Sequence, residues 1–244
     1  MENILEKLRD DSHYYGEFGK QYLSNSDISA LLGNPKEFGV SQSDNANFAK
    51  GRYFHQSILE PDKAAHVMQI DCSTRTTKIY KEYCEEHSLE FCLLTKEVEE
   101  LDVLVKTMMS NYHFFEDIRH PENEYEVPAI GEIHGMKWKG KADIVHPDML
   151  IDIKTTGNIK DFKYSARKYN YDSQCYIYQQ LFGKPLVFYV IDKTTGMLGI
   201  YRPTEEFIRR GEDKVIQAID VYKKFFSESK EEDINNYYIN EELN

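Results

Sequence analysis

Asp143, Asp152 and Lys154 lie close together in the stretch from Lys141 to Thr156, which reads KADIVHPDMLIDIKTT. In MLIDIKTTG, Met149, Ile151 and Ile153 alternate with Asp152 and Lys154, as the two faces of a strand do. Taken alone, this is a half-buried strand with a solvated polar face. The preceding stretch KWKGKADIV places Trp138, Ala142 and Ile144 on one face and Lys137, Lys139, Lys141 and Asp143 on the other. Joined by a short turn in a meander, the two strands would project Asp143, Asp152 and Lys154 onto one side. Paired carboxylates are hard oxygen ligands that suit Mg²⁺. A metal-activated water could then attack a phosphodiester, with the lysine orienting or deprotonating it and offsetting transition-state charge. The chemistry indicated is metal-assisted hydrolysis, set against the simpler reading of an inter-strand ion pair.

Other candidates lie outside these strands. His55, in GRYFHQSILEPDK, sits one helical turn after Gly51, whose missing side chain leaves room beside an imidazole that can ligate metal when neutral. In YNYDSQCYIYQQLFG, Gln174 and Tyr178 share a helix face. Gln174 could bond the lysine, a phosphate or a base, and Tyr178 could stack on a base or bond a phosphate. Tyr171, one turn earlier, is expected to pack. Glu126 and Glu124 share a face at the start of the first strand, Lys139 and Lys141 could guide a phosphate backbone or form a solvated row, and Thr155 could place a hydroxyl near a phosphate.

The elements that must position these groups follow from periodicity and punctuation. Ser24 or Ser26 caps a short helix that runs through Leu32 and stops at Gly33 and Pro35. A second helix, about 47–59, carries His55 and ends at Pro61. Charged helices are expected at about 74–87 and 95–110. Three strands follow, roughly 125–134, 136–145 and 149–156, with turns at His134-Gly135 and His146-Pro147-Asp148. A long helix from about Ile159 to Phe182, two strands around a Thr-Gly turn, and a final helix capped by Thr204 complete the chain. The expected class is α/β (α+β), a central mixed sheet flanked by helices with extra N-terminal helices. A single domain over 1–244 is expected: a mainly helical 1–120 with the histidine, a sheet and helix over 121–202, and a C-terminal helix with an acidic tail over 203–244.

Composition narrows the class. At 41% hydrophobic residues the chain can bury a core, and no apolar run reaches the roughly 20 residues of a bilayer span. The opening MENILEKLRD lacks an apolar signal region, so a cytoplasmic protein without membrane partners is expected. Cys72, Cys84, Cys92 and Cys175 form no C-x-x-C pair; Cys72, Cys84, His87 and Cys92 offer metal-ligand types at spacings of no common site. The net charge of −12 argues against nonspecific coating of nucleic acid. Much of the acid lies in EEHSLE, KEVEELD and ESKEED, leaving a locally basic 130–170 and room for a focused basic cleft.

Asp143 followed by Asp152-Ile153-Lys154 resembles the PD-(D/E)xK nuclease superfamily, whose core has the helix, three-strand, helix, strand order read above. Ala142 stands where a proline usually precedes the first acid. The Gly51 to His55 spacing resembles the histidine motif of the RecB-like branch. The run through Leu59-Glu60-Pro61 and the opening YLSNSDISALLGNP are similar to the exodeoxyribonuclease VIII family, and Gln174 and Tyr178 match a Q-x-x-x-Y motif. The resemblance spans about Tyr22 to Gly183. It implies that His55, Asp143, Asp152 and the Ile153 carbonyl hold Mg²⁺ or Mn²⁺, with Glu126 nearby, and that Lys154 acts on the attacking water. It further implies an exonuclease acting on ends of linear double-stranded DNA in phage-type recombination, 5′ to 3′, as a homo-oligomeric ring working with a single-strand annealing protein. Alternatives are a structure-specific RecB-like endonuclease and a catalytically idle binding module. The iron-sulfur variant of that branch is disfavoured, because no cysteine precedes His55 and none follows Cys175.

Overall fold

The computed structural model describes residues 2–40 and 45–240. In chain order its helices and strands are α1 (Glu2–Arg9), α2 (Asp11–Tyr14), α3 (Asn25–Gly33), α4 (Ala46–Leu59), α5 (Pro61–Ala64), β1 (Gln69–Ile70), α6 (Lys78–Glu86), β2 (Leu93–Leu94), α7 (Thr95–Ser110) and α8 (Tyr112–Ile118). Then come β3 (Glu124–Ile133), β4 (Met136–Val145), β5 (Leu150–Thr156), α9 (Phe162–Lys168), α10 (Tyr171–Phe182), β6 (Leu186–Asp192), β7 (Leu198–Tyr201) and α11 (Glu205–Phe225). Among the described residues no helix is long and apolar enough to cross a membrane.

Strands β3 to β7 form one sheet in chain order, and β1 and β2 form a small parallel pair. The β3-β4 hairpin turns through His134 and Gly135, both at positive φ (49° and 76°), the backbone a two-residue hairpin requires. Strands β5 and β6 are parallel, which demands a crossover, and α9 and α10 supply it. The remaining pairs are antiparallel, so the sheet is mixed as expected.

Helices cover both faces. On one, α3, α10 and α11 pack over Leu150, Leu186, Phe188 and Val190; on the other, α4, α7 and α8 pack over Ile151, Ile153, Val187, Tyr189 and Ile191. Consecutive residues of β6 therefore go to opposite cores, and all seven are buried.

Several local expectations change. The polar face of β5 is not solvated: Asp152 is 3% exposed, beneath α10. The long helix over 159–182 is broken, because Asn170 takes a left-handed φ of 56° and caps α10 as a separate helix. Trp138 and Ala142 lie in one core but Ile144 lies in the other, so the simple parity of β4 fails between 142 and 144. Helices α1, α2 and α8, short and polar or flanked by polar residues, were not anticipated from the pattern.

Candidate active site

The break in β4 positions the first carboxylate. Opposite it on β3, Val127 pairs with Ala142 and Tyr125 with Ile144, while Glu126 between them has φ 49°, a strained left-handed backbone for a non-glycine residue. On the other side, β4 and β5 pair only through Ile144–Ile151 and Val145–Leu150. Beyond that the ladder stops, which frees the amide of Ile153. Asp143 fills the gap: its Oδ2 accepts the Ile153 N–H at 2.9 Å and stands 3.4 Å from Nδ1 of His55, carried by α4. Ile153 thus meets the carboxylate through its N–H.

The second carboxylate is held from above. Gln174 Nε2 on α10 donates to Asp152 Oδ1 at 2.6 Å, and Lys154 Nζ stands 2.5 Å from Oδ2. The lysine contact is ionic and poorly aligned, so Oδ2 is buried without a directed hydrogen bond. Lys154 also lies 5.2 Å from the ring centre of Tyr171, which stacks on Phe188. Tyr171 both packs, as expected, and cradles the ammonium. Gln174 bonds the carboxylate and not the lysine. Helix α11 fixes α10 here: Gly211 lies so close that a Cβ would come 2.0 Å from the Asp172 carbonyl oxygen. Lys214 adds an ion pair to Asp172 at 2.8 Å. The close approach of Gly211, a glycine unremarkable in sequence, was missed.

Four residues expected to meet substrate are placed elsewhere. Lys139 and Lys141 are 6% and 8% exposed, not a solvated row. Lys139 donates to the Tyr14 carbonyl at 2.5 Å, and Lys141 reaches the Asp11 carboxylate at 2.6 Å and the Arg9 carbonyl at 3.2 Å. They anchor α1 and α2 to the sheet. The Tyr178 hydroxyl donates to the Lys141 carbonyl at 2.9 Å and accepts its N–H at 3.3 Å, so this buried ring braces β4 instead of stacking on a base. Gly140, facing that ring, makes room for it. Thr155, one residue after Lys154, alternates to the opposite face of β5. A Cβ at Gly51 would meet no protein atom within 4 Å, so the space one turn before His55 is open.

Electrostatics single out the acids. Burial, then repulsion from Asp143 and Glu60, pushes the Glu126 carboxyl up to about 8. Burial also raises Asp143; the neighbouring Asp152 adds to this and His55 opposes it. Burial works against the Lys154 ammonium, but Asp152, Tyr171 and Asp143 outweigh it and hold the lysine charged. The donor types fit a hard divalent cation: the carboxylates of Asp143 and Glu126, crowded enough to resist ionisation, the buried carboxylate of Asp152, and an imidazole alongside. Among the described residues, no three His, Cys, Asp or Glu side chains already stand as a cage. That holds too for Cys72, Cys84, His87 and Cys92; Cys72, Cys84 and Cys92 join a small core around Tyr80.

Residues 27–235 match the family described as a PDDEXK-like domain of unknown function (DUF3799). The chain belongs to this family. Its fold is that of the PD-(D/E)xK superfamily, a mixed sheet flanked by helices. A crystal structure of a candidate exonuclease from Eubacterium rectale superposes with a TM-score of 0.63 at 17% identity, covering 96% of each chain. An alkaline exonuclease from Laribacter hongkongensis aligns over 90% of this chain and 91% of its own at 13% identity, with a TM-score of only 0.34. No curated protein matches the sequence.

Proposed function

We propose that the chain is a Mg²⁺- or Mn²⁺-dependent DNA nuclease that hydrolyses linear duplex DNA from an end. One observation carries the reading: the break in β4 and the buried face of β5 bring Asp143, Asp152 and Lys154 together, with His55 on the first acid and Gln174 on the second. The exonuclease-named Eubacterium rectale structure of like fold agrees with it, as does the exodeoxyribonuclease VIII resemblance of the motifs. Asp143, Asp152, His55 and the Ile153 carbonyl would hold the cation, with Glu126 beside them. When bound, it supplies a Lewis acid at the phosphate and hydroxide at neutral pH.

The chain's own residues set the rest. Gln174 fixes the Asp152 carboxylate through Oδ1, and Lys154 pairs with Oδ2. Lys154 is held charged, so it orients water and offsets phosphate charge as a donor; it cannot remove a proton while its ion pair with Asp152 stands. Ionising both Asp143 and Glu126 in this half-buried setting is costly, and a cation removes that cost. Phage-type recombination, a ring assembly and an annealing-protein partner belong to the same reading through resemblance.

End-labelled linear duplex incubated with Mg²⁺, beside a closed circle, tests it. Stepwise shortening of the linear DNA, abolished in Lys154→Ala and Asp143→Ala, is expected; equal cutting of the circle would indicate an endonuclease, and unchanged cleavage in both variants would refute the site. The net charge of −12 favours a second reading, an idle binding module. Calorimetry separates the two, because an idle module would take up no Mn²⁺ near neutral pH.

A further inference from the structure

Beside this site lies a hollow that the hydrolysis does not use. A cavity of about 190 Å³ opens between α9, the end of β7 and the first turns of α11. Four rings wall it, Phe162, Phe188, Tyr201 and Phe207. Phe162 lies 4.5 Å from Tyr201 and 6.1 Å from Phe188 between ring centres. Charged residues line the cavity too: Lys163, Arg167, Arg202, Arg210 and Glu206. Arg210 reaches Glu206 at 3.3 Å, whereas Lys163, Arg167 and Arg202 form no ion pair with a described residue.

Helix α9 extends the same chemistry outward. Tyr164 and Tyr169 are 60% and 55% exposed, with the ammonium groups of Lys163 and Lys168 5.2 and 5.6 Å from their ring centres. The hollow and the hydrolytic centre share a wall. Tyr171 lies 5.2 Å from Phe188 and 5.9 Å from Phe162, and Lys154 sits over its ring. Phe188 is the register partner of Asp152.

We propose that this hollow and the outer face of α9 bind an unpaired DNA strand next to the hydrolytic centre, with a base among the rings and phosphates on the arginines. In a chain of net charge −12, Lys163, Arg167 and Arg202, without carboxylate partners beside aromatic rings, complement a polyanion. Stacking accepts any base, and guanidinium forks suit phosphate oxygens. The cavity is smaller than the ~300–1,000 Å³ typical of drug-sized ligands, which fits one ring system and excludes a duplex. The substrate class rests on the nuclease reading of the neighbouring site.

The test uses the full chain in EDTA, so that nothing is cleaved, and fluorescence anisotropy with labelled oligothymidylate and with a blunt duplex of equal length. Arg167→Ala/Arg202→Ala and Tyr164→Ala/Tyr169→Ala change exposed side chains, and thermal melts matching wild type confirm their folding. The tyrosine pair should weaken oligothymidylate binding at least about tenfold, as the loss of two stacked bases at ~1–3 kcal/mol each requires; the arginine pair should weaken it several-fold through lost phosphate contacts, and both should change duplex binding far less. The arginine pair should also flatten the salt dependence by roughly 1.4 in log-log slope. Unchanged oligothymidylate binding in both pairs, or no such binding by wild type, overturns the proposal. A wild type that binds oligothymidylate through these residues but cleaves nothing with Mg²⁺ supports the strand track and sinks the nuclease reading instead.

Discussion

Two helix glycines should respond to the same substitution in opposite directions. Replacing an interior helix glycine by alanine adds about 1 kcal/mol of helix propensity if the methyl group has room. At Gly51 it does, since nothing lies within 4 Å of the added Cβ. At Gly211 the Cβ would come 2.0 Å from the Asp172 carbonyl oxygen and 2.8 Å from the Ser173 nitrogen, both backbone atoms that cannot swing aside. Helices α10 and α11 must separate, and overpacking of this kind costs typically ~1–3 kcal/mol and occasionally more. Net of the propensity gain of about 1 kcal/mol, Gly211→Ala should lose up to about 2 kcal/mol, toward the upper end because both obstructing atoms are backbone. At ~2–4 °C per kcal/mol for a chain of this size, its melting temperature should fall by several degrees. Gly51→Ala should gain up to about 1 kcal/mol. Urea unfolding of both variants reads this directly. Because Asp172 precedes Gln174 by two residues, Gly211→Ala should also disturb the Gln174–Asp152 bond and lower cleavage, whereas Gly51→Ala alters cleavage only if substrate enters the open space beside His55. A Gly211→Ala protein as stable as wild type would refute the clamp.

Further outcomes follow from single contacts. Glu126, raised to about 8 from an ordinary 4.5, binds its proton more tightly folded than unfolded, so this group's stabilising contribution is full below about pH 4.5 and is lost as pH rises through about 8. Between pH 5.5 and 8.5 the loss is roughly 2–3 kcal/mol. Glu126→Gln should remove most of it in metal-free urea titrations, and an identical pH profile for the two proteins would contradict the assignment. Gln174→Leu leaves Asp152 Oδ1 without its donor and should cost about 1–3 kcal/mol as well as activity; a variant with wild-type stability and cleavage would show that the bond is idle. Tyr178→Phe removes both hydrogen bonds to the Lys141 backbone and should lower stability by about 1–3 kcal/mol while leaving DNA affinity within twofold. Loss of DNA binding without loss of stability would restore the substrate-contact role.

What was legible in the sequence and what was not divides along the range of the forces involved. Alternation in β5 and punctuation by Gly, Pro and Ser are local, and they give the mixed sheet, the α3 and α4 helices and the His134-Gly135 turn. The failures are tertiary. Asp152 reads as a solvated residue until Gln174, from a separate helix, supplies its donor. Lys139 and Lys141 read as a basic row until the carbonyl oxygens of Tyr14 and Arg9 absorb them. The parity of β4 breaks where Glu126 takes a left-handed φ, and the helix after β5 breaks where Asn170 does. No apolar period encodes either reversal, because the whole strand or helix is needed to enforce it.

That break in parity also bears on how the site works. A regular β4 paired along its length with β5 would satisfy the Ile153 amide from backbone and leave Asp143 free to turn outward. Stopping the ladder at Ile144–Ile151 leaves the amide for the carboxylate, which fixes Asp143 beside His55. The same kink at Glu126 sets a second acid near the first, where burial and then repulsion from Asp143 raise Glu126. Acid crowding is therefore built into the backbone, and a substrate polyanion approaching it needs cations from elsewhere. Lys154 is committed to Asp152, and Lys139 and Lys141 are committed to the N-terminal helices. Lys163, Arg167, Arg202 and Arg210 line the hollow proposed above as the strand track and are among the cations that could serve.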